Sequence, residues 1–254
     1  MDVFYCRLLF SGRRAFYCYT GYRPKYIINH TWILMIQKQT FEFLTELADN
    51  NNREWFIDNK QRHDTARENV IDFTGKLIKE VHKIDSAVSP ELDPKKCVMR
   101  IYRDVRFSKN KTPYKNNFGV SLPTTGLKPG GAEYYFQIQP GKSFIAGGYW
   151  MPEAAHLKAI RQEIDYNGKD LKTIIDDAAF VKLFGIFRDQ DKLKTLPRDY
   201  SADNENIELL KLKSFIAWHQ LKDKDLMKAD LVDKVAAICS KIYPLNVFLR
   251  NAIV

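Results

Sequence analysis

The spacing of hydrophobic residues divides residues 35–254 into helices at both ends and strands in the middle. From Trp55 to Val81 the apolar side chains return every three or four residues, which predicts a long amphipathic helix. From Arg100 to Trp150 the apolar residues instead alternate with polar ones, as in strands that have one buried face. Short turns rich in glycine and proline separate these runs, so neighbouring strands should pair antiparallel.

The predicted strands form one β-meander. The alternating runs cover residues 100–107, 117–122, 133–139 and 143–150, and residues 214–218 have the composition of a further strand. Helical spacing returns after the fourth run and continues to the C-terminus. Because strands and helices are segregated and no linker stands out, we predict a single α+β domain over residues 35–254. It consists of an antiparallel β-meander packed against several α-helices.

Residues 1–34 do not share this periodicity. Their apolar runs are interrupted by Arg7, Asn29 and His30, and are too short to span a bilayer. They also lack the cleavage pattern of a secretory signal. We interpret residues 1–34 as an extension outside the domain, either disordered or an artefact of a start site that is really Met35. The alternative is a short membrane-surface or targeting segment, which a mixture of aromatic and basic residues permits.

Composition and charge narrow the class of protein. Hydrophobic residues make up 45% of the chain and aromatic residues 13%, which supports a folded core and excludes a disordered protein. The net charge is +9, and five basic residues against one acidic residue place +4 of it in residues 1–34. The moderate surplus that remains suits acidic small molecules, with nucleic acid as the less favoured partner. The four cysteines show no Cys-x-x-Cys or zinc-like spacing, which indicates a cytoplasmic location.

The strongest candidate site lies in the basic stretch 99–115. It contains one acidic residue, Asp104, against six cations: Arg100, Arg103, Arg106, Lys109, Lys111 and Lys115. Arginine offers a planar, bidentate fork that fits phosphate or carboxylate, so we predict that these cations bind an anion, with Tyr102 and Tyr114 as hydrogen-bond partners. The alternative is a solvated basic edge strand, in which lysine discourages pairing with other chains.

Arg103 conflicts with its predicted strand, because it shares a face with the apolar residues Ile101 and Val105. A buried guanidinium requires a partner. We expect Glu54 to be that partner, since Asp104 is the adjacent residue and points to the other face of the strand.

A pair of glycines, Gly147 and Gly148, marks a second part of the candidate site. Paired glycines in a strand indicate close approach of a backbone or a ligand, and Pro152 is well placed to begin a helix whose N-terminus attracts anions. The alternative is that the glycines only relieve the packing of Trp150. We expect residues 100–107, 108–115 and 147–152 to converge on one anion pocket.

Three segments resemble a known family. They are Asn-Asn-Arg-Glu-Trp-Phe at 51–56, Arg-Ile-Tyr-Arg-Asp-Val-Arg-Phe-Ser-Lys-Asn-Lys-Thr-Pro-Tyr-Lys at 100–115, and the glycine pair before Trp-Met-Pro at 150–152. Together with Leu-Leu-Lys-Leu-Lys-Ser-Phe at 209–215, they are similar to the conserved hypothetical family called domain of unknown function 2461, from about residue 36 to the C-terminus. The resemblance implies a cytosolic α+β domain and supplies no reaction. The chain departs from the family's pattern at Asn110, where aspartate is expected, and at Asn204-Glu205, where His-Pro is expected.

These observations leave three functions open. The first is an enzyme or sensor that binds a phosphorylated or carboxylated small molecule, with the catalytic residues and the reaction unassigned. The second is an interaction module for an acidic protein partner, and the third is a nucleic-acid binder that uses the same charges. Dinucleotide, P-loop, nucleophile-elbow and metal-ligand motifs are absent from the sequence, so we predict no cofactor and no metal.

Overall fold

The computed structural model of the protein describes residues 35–124, 130–187 and 192–253. Our interpretation of residues 1–34 therefore concerns a segment outside the described residues. Within the described part, helices pack against a four-stranded antiparallel sheet. This arrangement confirms the predicted α+β class.

The N-terminal helices differ from the sequence expectation mainly at one break. They are α1 (Lys38–Asp49), α2 (Arg53–Asp58), α3 (Lys60–Ile84) and α4 (Pro94–Cys97). The periodic stretch that predicts one long helix is interrupted at Asn59, where the backbone has φ −104° and ψ 15°. At the start of α2, the side-chain oxygen of Asn52 accepts a hydrogen bond from the backbone N–H of Trp55 at 2.9 Å, as an N-cap residue does.

The sheet contains three of the four predicted meander strands together with the further strand expected at residues 214–218. Its strands are β1 (Phe118–Pro123), β2 (Glu133–Ile138), β3 (Phe144–Tyr149) and β4 (Phe215–Gln220), and they neighbour each other in that order. All three pairings are antiparallel. The register sets Val120 opposite Phe136 and Phe136 opposite Ile145, so apolar side chains line up on one face.

The remaining helices follow the meander or flank β4. They are α5 (Ala154–Ile175), α6 (Ala178–Phe184), α7 (Ile207–Leu210), α8 (Asp223–Leu226) and α9 (Leu231–Asn251). Together α3 and α9 cover the apolar face of the sheet. Phe73 of α3 packs against Phe136 of β2 with ring centroids 5.5 Å apart. Ile242 of α9 approaches β3 so closely that a Cβ on Gly147 would lie 2.4 Å from it, so α9 can pack at this distance only against glycine.

A buried ion pair joins the end of α3 to the end of α9. The side chain of Asp85 is 1% exposed and accepts hydrogen bonds from Nη1 and Nη2 of Arg250 at 2.8 and 3.0 Å. The hydroxyl of Tyr134 in β2 donates to the same carboxylate at 2.9 Å. Burial, and then the charge of Asp85, raise the pKa of Tyr134, so this hydroxyl remains a donor. The carboxylate therefore links two helices and the sheet.

Candidate functional site

Residues 100–115, which we name the basic loop, leave the sheet beside β1 and return to it. Just before the loop, the N–H of Met99 donates to the carbonyl of Gly119 in β1 at 2.8 Å. The two arms of the loop then pair antiparallel at Tyr102 and Tyr114. The basic loop is thus an excursion from the edge of the sheet.

The strand predicted over residues 100–107 is wrong after Tyr102. Residues 103–107 have no regular secondary structure. Ile101 is buried, but Val105 is only half-buried and Phe107 is 96% exposed. The alternation in sequence does not become a buried face, because a segment this rich in cations keeps most of its length in water.

Residues 51–56 hold the base of the basic loop. The side-chain amide of Asn51 pairs with the backbone of Tyr114 in both directions. Its Nδ2 donates to the carbonyl at 2.9 Å, and the N–H of Tyr114 donates to Oδ1 at 3.0 Å. The ring of Phe56 stacks on the ring of Tyr114 with centroids 4.0 Å apart, and Tyr102 packs against Tyr114 at 5.4 Å. Two of the segments that resemble the family therefore meet in space.

Arg103 does not form the predicted ion pair with Glu54. It is half-buried, and its Nη1 donates to the carbonyl of Thr112 at 3.1 Å and to the hydroxyl of the same residue. Glu54 is exposed. Because the loop opens to water, the guanidinium is satisfied by the opposite arm of the loop and requires no carboxylate.

Two more cations are used inside the basic loop. Arg106 donates to Asp104 through Nε at 3.0 Å and Nη2 at 2.7 Å, and this pairing lowers the pKa of Asp104. The ammonium of Lys111 donates to the carbonyl of Val105 at 2.9 Å. These bonds are exposed, so they shape the loop more than they stabilise the fold.

Arg100 and Lys115 are neighbours at the base of the loop. The backbone N–H of Lys115 donates to the carbonyl of Ile101 at 2.7 Å, which sets the two cationic residues next to each other where the arms meet. Burial, and then the charge of Arg100, lower the pKa of Lys115. Neither cation forms an ion pair with a carboxylate of the described residues.

The glycine pair has a packing function. Gly148 has φ 126°, and a Cβ there would lie 1.9 Å from the carbonyl oxygen of Phe215 in β4. The following helix, α5, begins at Ala154 with Glu153 at its N-cap position, so Pro152 is not its first residue as we expected. Both glycines line a cavity that the six cations of the basic loop do not line. In the described part of the chain, none of the three main cavities is lined by both the glycine pair and a cation of the basic loop, and β1 and β2 lie between them in the order of the sheet. That they share one anion pocket therefore stays a prediction.

The cavity is a cleft on the open face of the sheet, and we name it the sheet-face cleft. Its volume is about 810 Å³. Alternate residues of β2, β3 and β4 and of the turn after β2 form its floor, among them Tyr135, Gln137, Gln139, Phe144, Trp218 and Gln220. A second cavity of about 540 Å³ adjoins it and shares Met99, Glu133 and Trp150 with it.

Glu133 is the acidic residue of the sheet-face cleft. Its half-buried carboxylate accepts a hydrogen bond from the hydroxyl of Ser121. Burial raises the pKa of Glu133, and the Ser121 hydrogen bond opposes this only in part. Sequence reasoning singled out the glycine pair that lines this cleft but missed Glu133 and the other side chains of its floor. The signal was a strand face on which aromatic and amide side chains take the place of the usual charged ones.

The described residues contain no helix long and apolar enough to cross a membrane, and no cluster of three or more potential metal ligands. A family model with the description "Conserved hypothetical protein (DUF2461)" matches residues 39–248. No curated protein and no solved structure matches the chain. The matched range contains both the basic loop and the sheet-face cleft.

Proposed function

The chain belongs to the DUF2461 family of conserved hypothetical proteins, and from its residues we propose that it binds a phosphorylated or carboxylated small molecule. The proposed site is the base of the basic loop, with Arg100 and Lys115 as the principal ligands. The observation that carries this proposal is that two neighbouring cations share the base of the loop without an ion-paired carboxylate.

An anion at this position relieves an unfavourable arrangement. Burial, and then the charge of Arg100, disfavour the charged form of Lys115, as the lowered pKa of Lys115 indicates. An anion between Arg100 and Lys115 replaces the repulsion between the two cations with two attractions. The arginine supplies a bidentate fork, and the lysine supplies a compact point charge.

The rest of the basic loop supports this site indirectly. Arg103, Arg106 and Lys111 fix the shape of the loop through the hydrogen bonds described above. The six cations and one carboxylate of the loop also produce a positive field, which raises the rate at which anions arrive.

The proposal is tested by titrating the full chain with pyrophosphate and with citrate in a calorimeter. We expect Arg100→Gln and Lys115→Gln each to weaken binding of the better probe about tenfold, since each removes a charged hydrogen-bond donor. The matched control is Lys109→Gln, which removes the same charge from an exposed position of the same loop. Equal losses in all three variants would contradict a defined site and indicate a general field effect.

Protonation gives a second test of the same site. The pKa of Lys115 is lowered in the free protein, and an anion beside it would raise this pKa again. Binding should therefore take up protons at alkaline pH, and affinity should fall as the pH rises through the pKa of Lys115 in the free protein. The uptake is measured as a difference in binding enthalpy between buffers with different heats of ionisation. Uptake that persists in Lys115→Gln would mean that another group titrates.

An acidic protein partner is the second candidate, and the tip of the basic loop favours it. Phe107 is 96% exposed, and the guanidinium carbon of Arg106 lies 5.8 Å from the centroid of its ring. An exposed aromatic ring beside cations fits a surface that is both apolar and acidic. Phe107→Ala distinguishes the candidates, since it should leave pyrophosphate binding unchanged and weaken only a macromolecular contact. If a single-stranded oligonucleotide bound to the protein with strongly salt-dependent affinity, that result would instead favour a nucleic-acid-binding function.

We also propose a cytoplasmic location. It is supported by Cys97 and Cys239, which are buried free thiols. Burial raises the pKa of Cys97 to about 11, which keeps this thiol protonated and unreactive, as suits a reducing compartment.

A further inference from the structure

The sheet-face cleft is a candidate binding site in its own right, and we propose that it binds a neutral oligosaccharide. This proposal goes beyond anion binding at the basic loop, because different residues form the two sites. It depends on three properties of the cleft: its aromatic side chains, its row of amides and the half-buried carboxylate of Glu133.

The aromatic side chains extend across three strands. Trp218 of β4 and Phe144 of β3 meet edge to face at 5.9 Å, and Phe144 meets Tyr135 of β2 at 5.7 Å. At one end of the cleft Trp150 is 60% exposed. Flat apolar rings with a polar edge are suited to a ligand with one apolar face, and the C–H face of a pyranose ring has this property.

The amides form a hydrogen-bonded row along the same floor. The hydroxyl of Tyr135 donates to Gln137 at 3.2 Å, Gln137 donates to Gln139 at 2.7 Å, and Gln139 donates to Asn116 at 3.3 Å. In this row each glutamine uses one N–H and one lone pair of its oxygen, so each retains another N–H and another lone pair. A sugar hydroxyl both donates and accepts, and it can therefore bond to such an amide in either direction.

The carboxylate of Glu133 adds a strong acceptor. Ser121 is its hydrogen-bond donor among the described residues, and an ionised carboxylate has room for about four donors. Two adjacent hydroxyls of a sugar can donate to it together. The pKa of Glu133 is raised by burial, and such a ligand would lower it again.

The charges of the cleft favour a neutral ligand over an anion. Its described lining contains one acidic residue, Glu133, and one basic residue, Lys142 in the turn after β2. No arginine of the described residues lines it, in contrast to the basic loop. The adjoining cavity continues past Trp150, so the available space is elongated and suits more than one ring. The volume of about 810 Å³ is ample for a small-molecule ligand.

The test mixes the full chain with maltose, cellobiose, mannobiose or chitobiose. Saturation-transfer NMR and tryptophan fluorescence measure the binding of each disaccharide. We expect at least one disaccharide to bind, and Trp150→Ala and Glu133→Gln each to weaken its binding about tenfold. Trp150 is exposed, so its removal should not disturb folding, which a thermal melt verifies. The matched control is Tyr166→Ala, which removes a 74% exposed aromatic ring of α5 that does not line the cleft.

Two results would overturn the proposal: no binding of any of the four disaccharides at millimolar concentration, or binding that Trp150→Ala and Glu133→Gln leave unchanged. The outcome is separable from that of the anion site. Trp150→Ala should retain pyrophosphate binding, and Arg100→Gln should retain disaccharide binding. Loss of both ligands in either variant would contradict two independent sites.

Discussion

At the scale of single residues, Glu133 shows the conflict between folding and binding most clearly. Its carboxylate is half-buried between strands, with Ser121 as its hydrogen-bond donor among the described residues. Folding alone would favour a neutral side chain here, because desolvation penalises the charged form. Residues that cost stability in this way are typical of binding sites.

We therefore predict that Glu133→Gln stabilises the protein. The replacement can still accept the Ser121 hydrogen bond and removes the desolvated charge, so the free energy of unfolding at pH 7 should rise by about 1 kcal/mol, a figure that allows for partial contact with water. Folding raises the pKa of Glu133. The free energy of unfolding of the unmodified protein therefore falls as the pH rises from the usual pKa of glutamate to the higher pKa in the folded protein. The gain should disappear below about pH 4, where the carboxyl is protonated in both states. Urea denaturation at both pH values measures it, and a loss of stability at pH 7 would contradict it.

At the scale of elements, the sequence predicted the regular strands well and the basic loop poorly. The expected runs 133–139 and 143–150 correspond to β2 and β3 within about two residues. There the alternation coincides with real burial, since Tyr134 and Phe136 are covered by helices. In residues 100–107 the same alternation has no layer to pack against. Periodicity reports which side chains could share a face, but burial depends on what the rest of the chain places there.

We predict that Asn51 fixes the position of the basic loop. Asn51→Ala removes both hydrogen bonds to the backbone of Tyr114 and leaves two partly buried backbone groups unpaired. The free energy of unfolding should fall by about 2 kcal/mol. Trypsin should also cleave the basic loop faster, because its anchored arm is released. The matched control is Asn50→Ala, whose side chain bonds only to the exposed end of α1. Cleavage of the loop at the same rate in both variants would mean that Phe56 alone positions it.

At the scale of the whole molecule, the fold class followed from the order of the elements, whereas the sheet-face cleft did not. Tyr135, Phe144 and Trp218 come from three strands, and the third of these is separated from the others by more than 70 residues. Their proximity depends on the pairing of β4 with β3, which no local pattern specifies. Sequence reasoning found the densest cluster of charge instead, because adjacent residues can be recognised without knowledge of the topology.

The last prediction concerns the contact that joins the two ends of the domain. Asp85 and Arg250 are 165 residues apart, and the carboxylate is almost completely buried. Arg250→Met should lower the free energy of unfolding by about 3–5 kcal/mol, since it leaves a buried charge without its partner. The matched control is Arg62→Met, which breaks an exposed bidentate pair with Glu46 and should change stability by at most about 0.5 kcal/mol.

Combining Arg250→Met with Asp85→Asn removes the unpaired charge while Tyr134 keeps an acceptor, so the double variant should be more stable than Arg250→Met alone. Urea denaturation of the three variants decides the matter. If Arg250→Met behaved like Arg62→Met, the pair would be solvated, and the two ends of the domain would be held together by apolar packing alone.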